Sequence, residues 1–139
     1  MPLRTFATCL LMGILSLGSL SCASSSNIPV REMPANATFS GQWYTTFGFM
    51  DISQRSDGYA RGTFDYKSGG EVEGTVVGGV FQFRWVQPGD FSVGRREVSG
   101  HGYLVISDDG LNMSGRWGYN DAYEGGGEWT GKKQTEIYR

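Results

Sequence analysis

The chain has 139 residues, with 12 basic and 14 acidic side chains and a formal net charge of −2. This length suits one domain, and a near-neutral charge without a basic stripe argues against a nucleic-acid partner. Twenty of the 22 glycines lie between Gly41 and Gly131 without a Gly-X-Y period, which excludes a collagen-like chain, and an aromatic content of 14% excludes a disordered one.

The first predicted element is a targeting segment, residues 1–21. Arg4 supplies a positive charge, and an apolar stretch runs from Phe6 to Leu20. This stretch is too short for a transmembrane helix and is typical of a secretory signal peptide. Residues 22–37 contain two prolines and no alternating pattern, so we expect them to form a flexible linker before the folded domain.

Cys22 follows the apolar stretch in the order Leu20-Ser21-Cys22-Ala23-Ser24. This order resembles the lipobox of bacterial lipoproteins, in which the cysteine after the cleavage site is acylated, although that family usually has leucine at the position of Ser19. The resemblance implies a lipid anchor at Cys22 in the cell envelope, with the outer membrane favoured because no aspartate follows the cysteine. Cleavage after Ala23 by an ordinary signal peptidase is the alternative, and it would give a periplasmic or secreted protein.

A Gly-x-aromatic unit recurs along residues 38–133, which we predict to be the folded domain. It is found at Gly41-Gln42-Trp43, Gly62-Thr63-Phe64, Gly115-Arg116-Trp117 and Gly127-Glu128-Trp129. Residues two apart in a strand share a face, so each unit places a glycine and a ring on the same side of a sheet. A ring needs space, and a glycine on the neighbouring strand leaves it. The pattern is therefore typical of a small, tightly curved barrel.

Alternating apolar and polar residues predict eight strands, at residues 39–46, 49–54, 59–66, 71–77, 80–86, 102–107, 111–119 and 127–132. The large apolar side chains predicted to face inward are Phe39, Trp43, Met50, Ile52, Phe64, Tyr66, Val72, Val76, Phe81, Phe83, Trp85, Leu104, Ile106, Leu111, Met113, Trp117 and Trp129. Because the intervening positions are polar, we expect an all-β fold of antiparallel strands. Short turns predict an up-and-down meander, closed into a barrel by the first and last strands, with a two-sheet sandwich as the alternative. Residues 134–139 are the expected C-terminal tail.

The connections of this meander differ between its two ends. Tight hairpin signals at 56–58, 78–79 and 108–110 fall at one end, whereas the stretches 47–48, 68–70, 87–100 and 118–126 fall at the other. Ligands usually enter a barrel at the mouth that carries the long loops. The candidate ligand-binding residues on or beside these loops are Trp85, Phe91, Arg95, Arg96, His101, Tyr119 and Tyr123. Two adjacent arginines suit a carboxylate or phosphate.

Residues that often carry catalysis are sparse in the predicted domain. His101 is the sole histidine, and no nucleophile motif or second acid accompanies it. Asp108-Asp109-Gly110 lacks the spaced acidic ligands of a calcium loop, and no histidine–cysteine cluster is present for zinc. We therefore expect a non-enzymatic protein without a metal or other cofactor, and an enzyme that uses His101 is a minor alternative.

Between Phe39 and Lys132 the motifs Phe-Ser-Gly-x-Trp, Gly-Thr-Phe, Glu-Gly-Thr-Val, Asp-Asp-Gly-x-x-x-Ser-Gly-Arg-Trp and Gly-Gly-x-Trp-x-Gly follow one another. This order resembles uncharacterised bacterial envelope domains with repeated Gly-Thr-aromatic strands, and its opening is similar to that of avidin-like and lipocalin-like barrels. The combined prediction is a lipid-tethered envelope barrel that binds a small molecule, a glycan or an envelope protein at its loop-rich end. The alternative is an inhibitor of a secreted hydrolase that inserts residues 87–100 into the enzyme cleft.

Overall fold

Eight antiparallel strands close into a barrel in the computed structural model, which describes residues 27–135. The strands are β1 (Gly41–Thr45), β2 (Gly48–Gln54), β3 (Tyr59–Phe64), β4 (Gly70–Val77), β5 (Val80–Gln87), β6 (Val98–Ile106), β7 (Asn112–Tyr119) and β8 (Gly127–Lys133). Each strand pairs with the next along the chain, and β8 pairs with β1. The predicted all-β meander barrel is confirmed, and the sandwich alternative is excluded. The predicted targeting segment and Cys22 lie outside the described residues.

The barrel interior is filled by large apolar side chains from every strand. The buried apolar residues are Phe39, Trp43, Met50, Ile52, Ala60, Phe64, Val72, Val80, Phe81, Phe83, Trp85, Tyr103, Leu104, Ile106, Met113 and Trp129. Two residues predicted to face inward do not do so: Tyr66 is 38% exposed and Leu111 is 40% exposed. The reason is that β3 ends at Phe64 and β7 begins at Asn112, so the strand alternation does not reach either residue. Within residues 27–135 no helix is long and apolar enough to cross a membrane.

Rings and glycines face each other across neighbouring strands, as the Gly-x-aromatic units predicted. Trp85 of β5 is paired with Gly100 of β6, and Phe83 is paired with Gly102. A β-carbon built on Gly100 would lie 2.8 Å from the Trp85 ring, and one built on Gly102 would lie 2.7 Å from the Phe83 ring. Either distance is shorter than real β-carbon contacts. The rings of β5 therefore occupy the space that side chains on β6 would need.

The same glycines explain why β6 is longer than predicted. The strand begins at Val98, four residues before the predicted start at residue 102. Its inward positions there are Gly100 and Gly102, which have no side chain to reveal the alternation. The connection between β5 and β6 is therefore residues 88–97, which include a single 3-10 turn at Phe91–Val93.

Residues 31–40, which we call the N-terminal strap, close the end of the barrel opposite the long loops. The Gly79 amide in the β4–β5 turn donates to the Arg31 carbonyl at 2.9 Å, and the Arg31 guanidinium donates to the Ile106 carbonyl at 2.7 Å. Arg31 also forms an ion pair with Asp108 in the β6–β7 turn. These contacts extend the packed part of the chain seven residues before the predicted domain start at Thr38.

The strap ends in a buried anchor below the barrel. Phe39 is fully buried, and its carbonyl accepts the indole N–H of Trp43 at 2.9 Å. The Lys133 ammonium group donates to the Thr38 carbonyl at 3.0 Å and lies 5.1 Å from the centre of the Trp43 ring. Partial burial lowers the pKa of Lys133 below its ordinary value. This end of the barrel, the sealed end, is consequently filled by side chains.

Substituting a glycine at a close strand crossing tests whether strand approach limits stability. A β-carbon on Gly115 of β7 would lie 1.7 Å from the Tyr103 carbonyl oxygen and 3.1 Å from the Leu104 α-carbon. We expect Gly115→Ala to lower the free energy of unfolding by about 1–3 kcal/mol, because overpacking forces the backbone apart. Ser114→Ala, at the exposed neighbouring position, should change it by less than about 0.5 kcal/mol in urea denaturation. Equal effects of the two substitutions would contradict the packing argument.

Candidate functional site

The end of the barrel that carries the long loops, the mouth, holds a cleft of about 460 Å³. Its walls come from the mouth ends of β3, β5, β6, β7 and β8 and from the loops that follow β1, β3 and β7. The lining residues, which define the mouth cleft, are Phe47, Phe64, Tyr66, Lys67, Trp85, Gln87, Val98, Trp117, Tyr119, Gly126 and Trp129. Aromatic side chains dominate this lining, which is the composition expected of a pocket for a small organic ligand.

Phe47 in the β1–β2 turn lies across the mouth and packs on aromatic rings that line the cleft. Its ring packs edge to face against Trp129, Trp117 and Tyr66, with centroid distances of 4.8, 5.5 and 5.3 Å. The turn is held by Thr45, whose hydroxyl accepts from the Phe47 amide at 3.0 Å and donates to the Gly48 carbonyl at 2.7 Å. The tight turn therefore aims an aromatic ring into the mouth.

Three rings form the opposite wall of the mouth cleft. Trp85, Trp117 and Tyr119 pack edge to face in a triangle whose centroid distances are 5.6, 5.0 and 5.8 Å. The Trp85 indole N–H donates to the Gly118 carbonyl at 3.2 Å, which fixes its ring orientation. Edge-to-face packing of this kind adds about 0.5–1.5 kcal/mol for each pair beyond the burial of area. The wall is therefore a preformed aromatic surface.

Two partly exposed tyrosines stand at the rim of the cleft. Tyr66 is 38% exposed and Tyr119 is 53% exposed. Each is followed by a residue with left-handed backbone, Lys67 and Asn120, both with φ of 55°. Such a conformation is unusual for lysine, and strained backbone concentrates at binding sites. The local geometry thus turns the chain sharply after each tyrosine and leaves its ring at the opening.

The electrostatic character of the mouth cleft comes from Lys67, the one charged residue in its described lining. Its ammonium group lies 5.1 Å from the centre of the Tyr66 ring. Among the described residues, ion pairs join Arg31 to Asp108 and Arg55 to Asp57, and none involves Lys67. The cleft therefore presents one positive charge beside aromatic rings.

Two indole N–H groups beneath the cleft have no hydrogen-bond partner among the described residues. They belong to Trp117 and Trp129, and both nitrogen atoms are buried. Trp129 packs at close to a right angle against Phe64 and Phe83, with centroid distances of 5.4 and 5.3 Å. Both indole rings therefore contribute to the cleft through their apolar surfaces and not through these N–H groups.

The structure brings two of the seven predicted ligand-binding residues, Trp85 and Tyr119, into the lining of the cleft. The other five lie elsewhere at this end of the barrel. Phe91, Arg95 and Arg96 belong to the 88–97 loop, which projects from the mouth without lining the cleft. His101 and Tyr123 lie against each other on the outer side of the wall, with a centroid distance of 4.9 Å.

His101 has a structural contact that accounts for its position. It lies in β6, between glycines that face the interior, so its own side chain points outward. Its Nδ1 atom is 2.6 Å from the Asn120 carbonyl oxygen. This contact ties the β7–β8 loop to β6 beside the left-handed turn at Asn120.

The 88–97 loop has a closed tip of six residues, 90–95. Asp90 and Arg95 exchange backbone hydrogen bonds of 2.8 and 2.9 Å. The hydroxyl of Ser92, helped by its amide, donates to the Asp90 carboxylate and holds the pKa of Asp90 below its ordinary value. Phe91 and Val93 at the tip are 88% and 65% exposed.

The hydrolase-inhibitor hypothesis for this loop stays a prediction, and loss of inhibition on deletion of residues 88–97 is the measurement that tests it.

Several residues of the cleft were not among the predicted site residues. Phe47 belongs to a mouth connection that the sequence placed correctly, whereas Tyr66 was predicted to end the third strand facing inward and Lys67 precedes the predicted 68–70 connection. Trp117 was predicted to be a core residue, and it is only partly buried. An aromatic residue beside a glycine in a mouth turn, as in Phe47-Gly48, is a signal that could have identified Phe47 as a cleft residue.

A larger concavity, of about 640 Å³, lies on the outer wall of β2 to β5. Its charged lining residues are Asp51, Arg61, Glu71, Glu73 and Arg84. All five are exposed, so water already solvates them and little desolvated surface is available to a ligand. The mouth cleft, with its buried floor of Phe64 and Trp129, is therefore the better candidate site.

Comparison of the chain with protein-family models, with curated proteins and with solved structures finds no match. The mouth cleft is therefore the feature of the molecule that bears on function. Its distinguishing features are the Phe47 ring across the opening, the triangle of Trp85, Trp117 and Tyr119, and the positive charge of Lys67.

Truncating Phe47 tests whether its ring holds the mouth together. We expect Phe47→Ala to lower the free energy of unfolding by about 1–3 kcal/mol, because three edge-to-face contacts are lost. Acrylamide should also quench tryptophan fluorescence more strongly, since Trp117 and Trp129 gain access to solvent. Phe91→Ala is the matched control, because Phe91 is almost fully exposed, and it should alter stability by less than about 0.5 kcal/mol. A stable Phe47→Ala variant with unchanged quenching would show that Phe47 is dispensable.

Proposed function

We propose that this protein is a non-enzymatic, lipid-anchored β-barrel of the cell envelope that binds a small ring-bearing ligand in its mouth cleft. The observation that carries the proposal is the cleft of about 460 Å³, walled by aromatic side chains and open at the loop-rich end. A pocket of this size and composition suits a small organic molecule or one to two sugar units. Besides a small organic molecule and a glycan, an envelope protein that inserts an aromatic side chain into the cleft is a further candidate ligand.

The cleft is supported as a binding site by rings that are ordered before any ligand arrives. Trp85, Trp117 and Tyr119 hold one another edge to face, so a ligand does not have to order them. Preorganised rings bind with a smaller entropic loss than mobile ones. Tyr66 and Tyr119 leave apolar surface in water at the rim, and covering that surface favours association.

The proposed anchor determines which way the mouth faces. Cys22 and the preceding apolar stretch support acylation at that residue by resemblance to bacterial lipoproteins, with the outer membrane favoured. Eight residues, 23–30, separate this cysteine from Arg31, which is bound at the sealed end. An extended chain of that length spans at most about 30 Å. The sealed end would therefore stay near the membrane, and the mouth would face away from it.

A thermal-shift screen tests ligand binding. The screen covers arene acids, neutral aromatic compounds and mono- or oligosaccharides. A bound ligand at about ten times its Kd stabilises the fold by roughly 1.4 kcal/mol and should raise the Tm by about 5–10 °C. Tyr119→Leu should reduce that shift, whereas Tyr44→Leu, at a similarly exposed outer-wall tyrosine, should not. If no compound class raises the Tm of the wild-type protein, the binding proposal is wrong.

Intact mass spectrometry of the mature protein, expressed from the full chain in a bacterial host, tests the anchor. We expect a chain that starts at Cys22 and carries a diacyl or triacyl mass, and Cys22→Ala should abolish the modification. An unmodified chain that starts at Ser24 would replace the anchored protein with a periplasmic or secreted one. That result would not affect the proposal that the mouth cleft binds a ligand.

A further inference from the structure

We infer that the mouth cleft selects a flat, largely apolar ring compound that carries one negative charge, such as an arene carboxylate. The inference rests on the proposed binding function and names the ligand class. The ring would lie against Trp85, Trp117 and Tyr119, and the carboxylate would meet the Lys67 ammonium group at the rim.

Two hydrogen-bond donors of the cleft are already engaged within the protein, which leaves fewer partners for the hydroxyl groups of a sugar. The Gln87 side-chain amide already donates to the Tyr66 carbonyl at 3.0 Å, and the Trp85 indole N–H already donates to Gly118. The indole nitrogen atoms of Trp117 and Trp129 are buried beneath the surface, out of reach of a ligand. A pyranose has several hydroxyl groups, and each one that leaves water without a new partner costs free energy. An arene ring has no such groups to desolvate, and its carboxylate would stay at the rim beside Lys67.

The charge of the cleft favours an anion. No aspartate or glutamate belongs to the described lining, and Lys67 is its one charged residue. The nearest acidic residue along the chain, Asp65, accepts from the Phe49 amide at 2.5 Å and is turned toward β2. Lys67 is exposed, so an ion contact with it adds a modest and salt-dependent preference for an anion to the apolar contact with the rings. An amphipathic anion therefore satisfies both parts of the site.

The backbone at Lys67 determines which substitution removes its charge without disturbing the turn. Its φ of 55° is a left-handed conformation that asparagine tolerates better than lysine does. The same φ occurs at Asn120, on the other side of the rim. An asparagine at position 67 would therefore suit the turn, which makes Lys67→Asn a substitution that removes the charge without adding strain.

Isothermal titration calorimetry with three probes tests the inference: 2-naphthoate, its neutral counterpart 2-naphthylmethanol, and cellobiose. We expect 2-naphthoate to bind about fivefold more tightly than 2-naphthylmethanol, as one ion contact at a protein surface provides. Lys67→Asn should abolish this preference, and Lys67→Arg should retain it. Added salt should weaken binding of 2-naphthoate only. In NMR spectra, the indole signals of Trp85 and Trp117 should shift, and that of Trp43 at the sealed end should not.

The possible outcomes separate the ligand class from the binding function. Equal affinity for the two naphthyl compounds, or a preference that survives in Lys67→Asn, overturns the charge selection and leaves an aromatic-binding cleft. Tighter binding of cellobiose overturns the ligand class and leaves the binding function. Absence of binding by all three probes overturns the inference, whereas the binding function fails only if the thermal-shift screen also finds no stabilising compound.

Discussion

The packing of an aromatic ring over a glycine on the neighbouring strand is the contact on which this barrel depends. A closed sheet of eight short strands encloses little space, and rings as large as Trp85 and Phe83 fit there because Gly100 and Gly102 have no β-carbon. The benefit is that residues 27–135 bury large apolar surfaces without an α-helix or a disulfide among them. The consequence is low tolerance: a methyl group at these crossings would meet a ring or a backbone carbonyl.

The two ends of the barrel differ in how the apolar core is covered. At the sealed end the N-terminal strap lays Phe39 over the core, and hydrogen bonds to Arg31 hold it there. At the mouth no strap is present among the described residues, and Phe47 alone crosses the opening. Aromatic rings that the sealed end would bury are therefore left partly open to water at the mouth. That asymmetry, more than any single residue, makes the mouth the candidate binding site.

Much of the fold could be predicted because a strand repeats every two residues and a large side chain on a polar background reveals that period. The strand boundaries were predicted wrongly where the inward positions are glycines, and where the alternating pattern in the sequence extends further than the strand itself. The start of β6 was missed because its inward positions are Gly100 and Gly102, which have no side chain. Tyr66 and Leu111 were assigned wrongly because the alternating pattern extends past the end of β3 and before the start of β7. Of the site, Trp85 and Tyr119 were found because they adjoin long loops. Lys67 was not predicted, because its place at the rim depends on a left-handed backbone conformation that a lysine in the sequence does not indicate.

The sequence by itself determined the fold class, the strand order and which end of the barrel carries the long loops, since these follow from local alternation and turn chemistry. It also supplied the case for a lipid anchor at Cys22. The tertiary structure alone decided which rings meet, because Phe47, Tyr66, Trp85 and Tyr119 come from four separate segments of the chain. It also decided that Phe91, Arg95 and Arg96 stand apart from the cleft. Contacts between distant segments depend on barrel closure and strand register, which no short stretch of residues encodes.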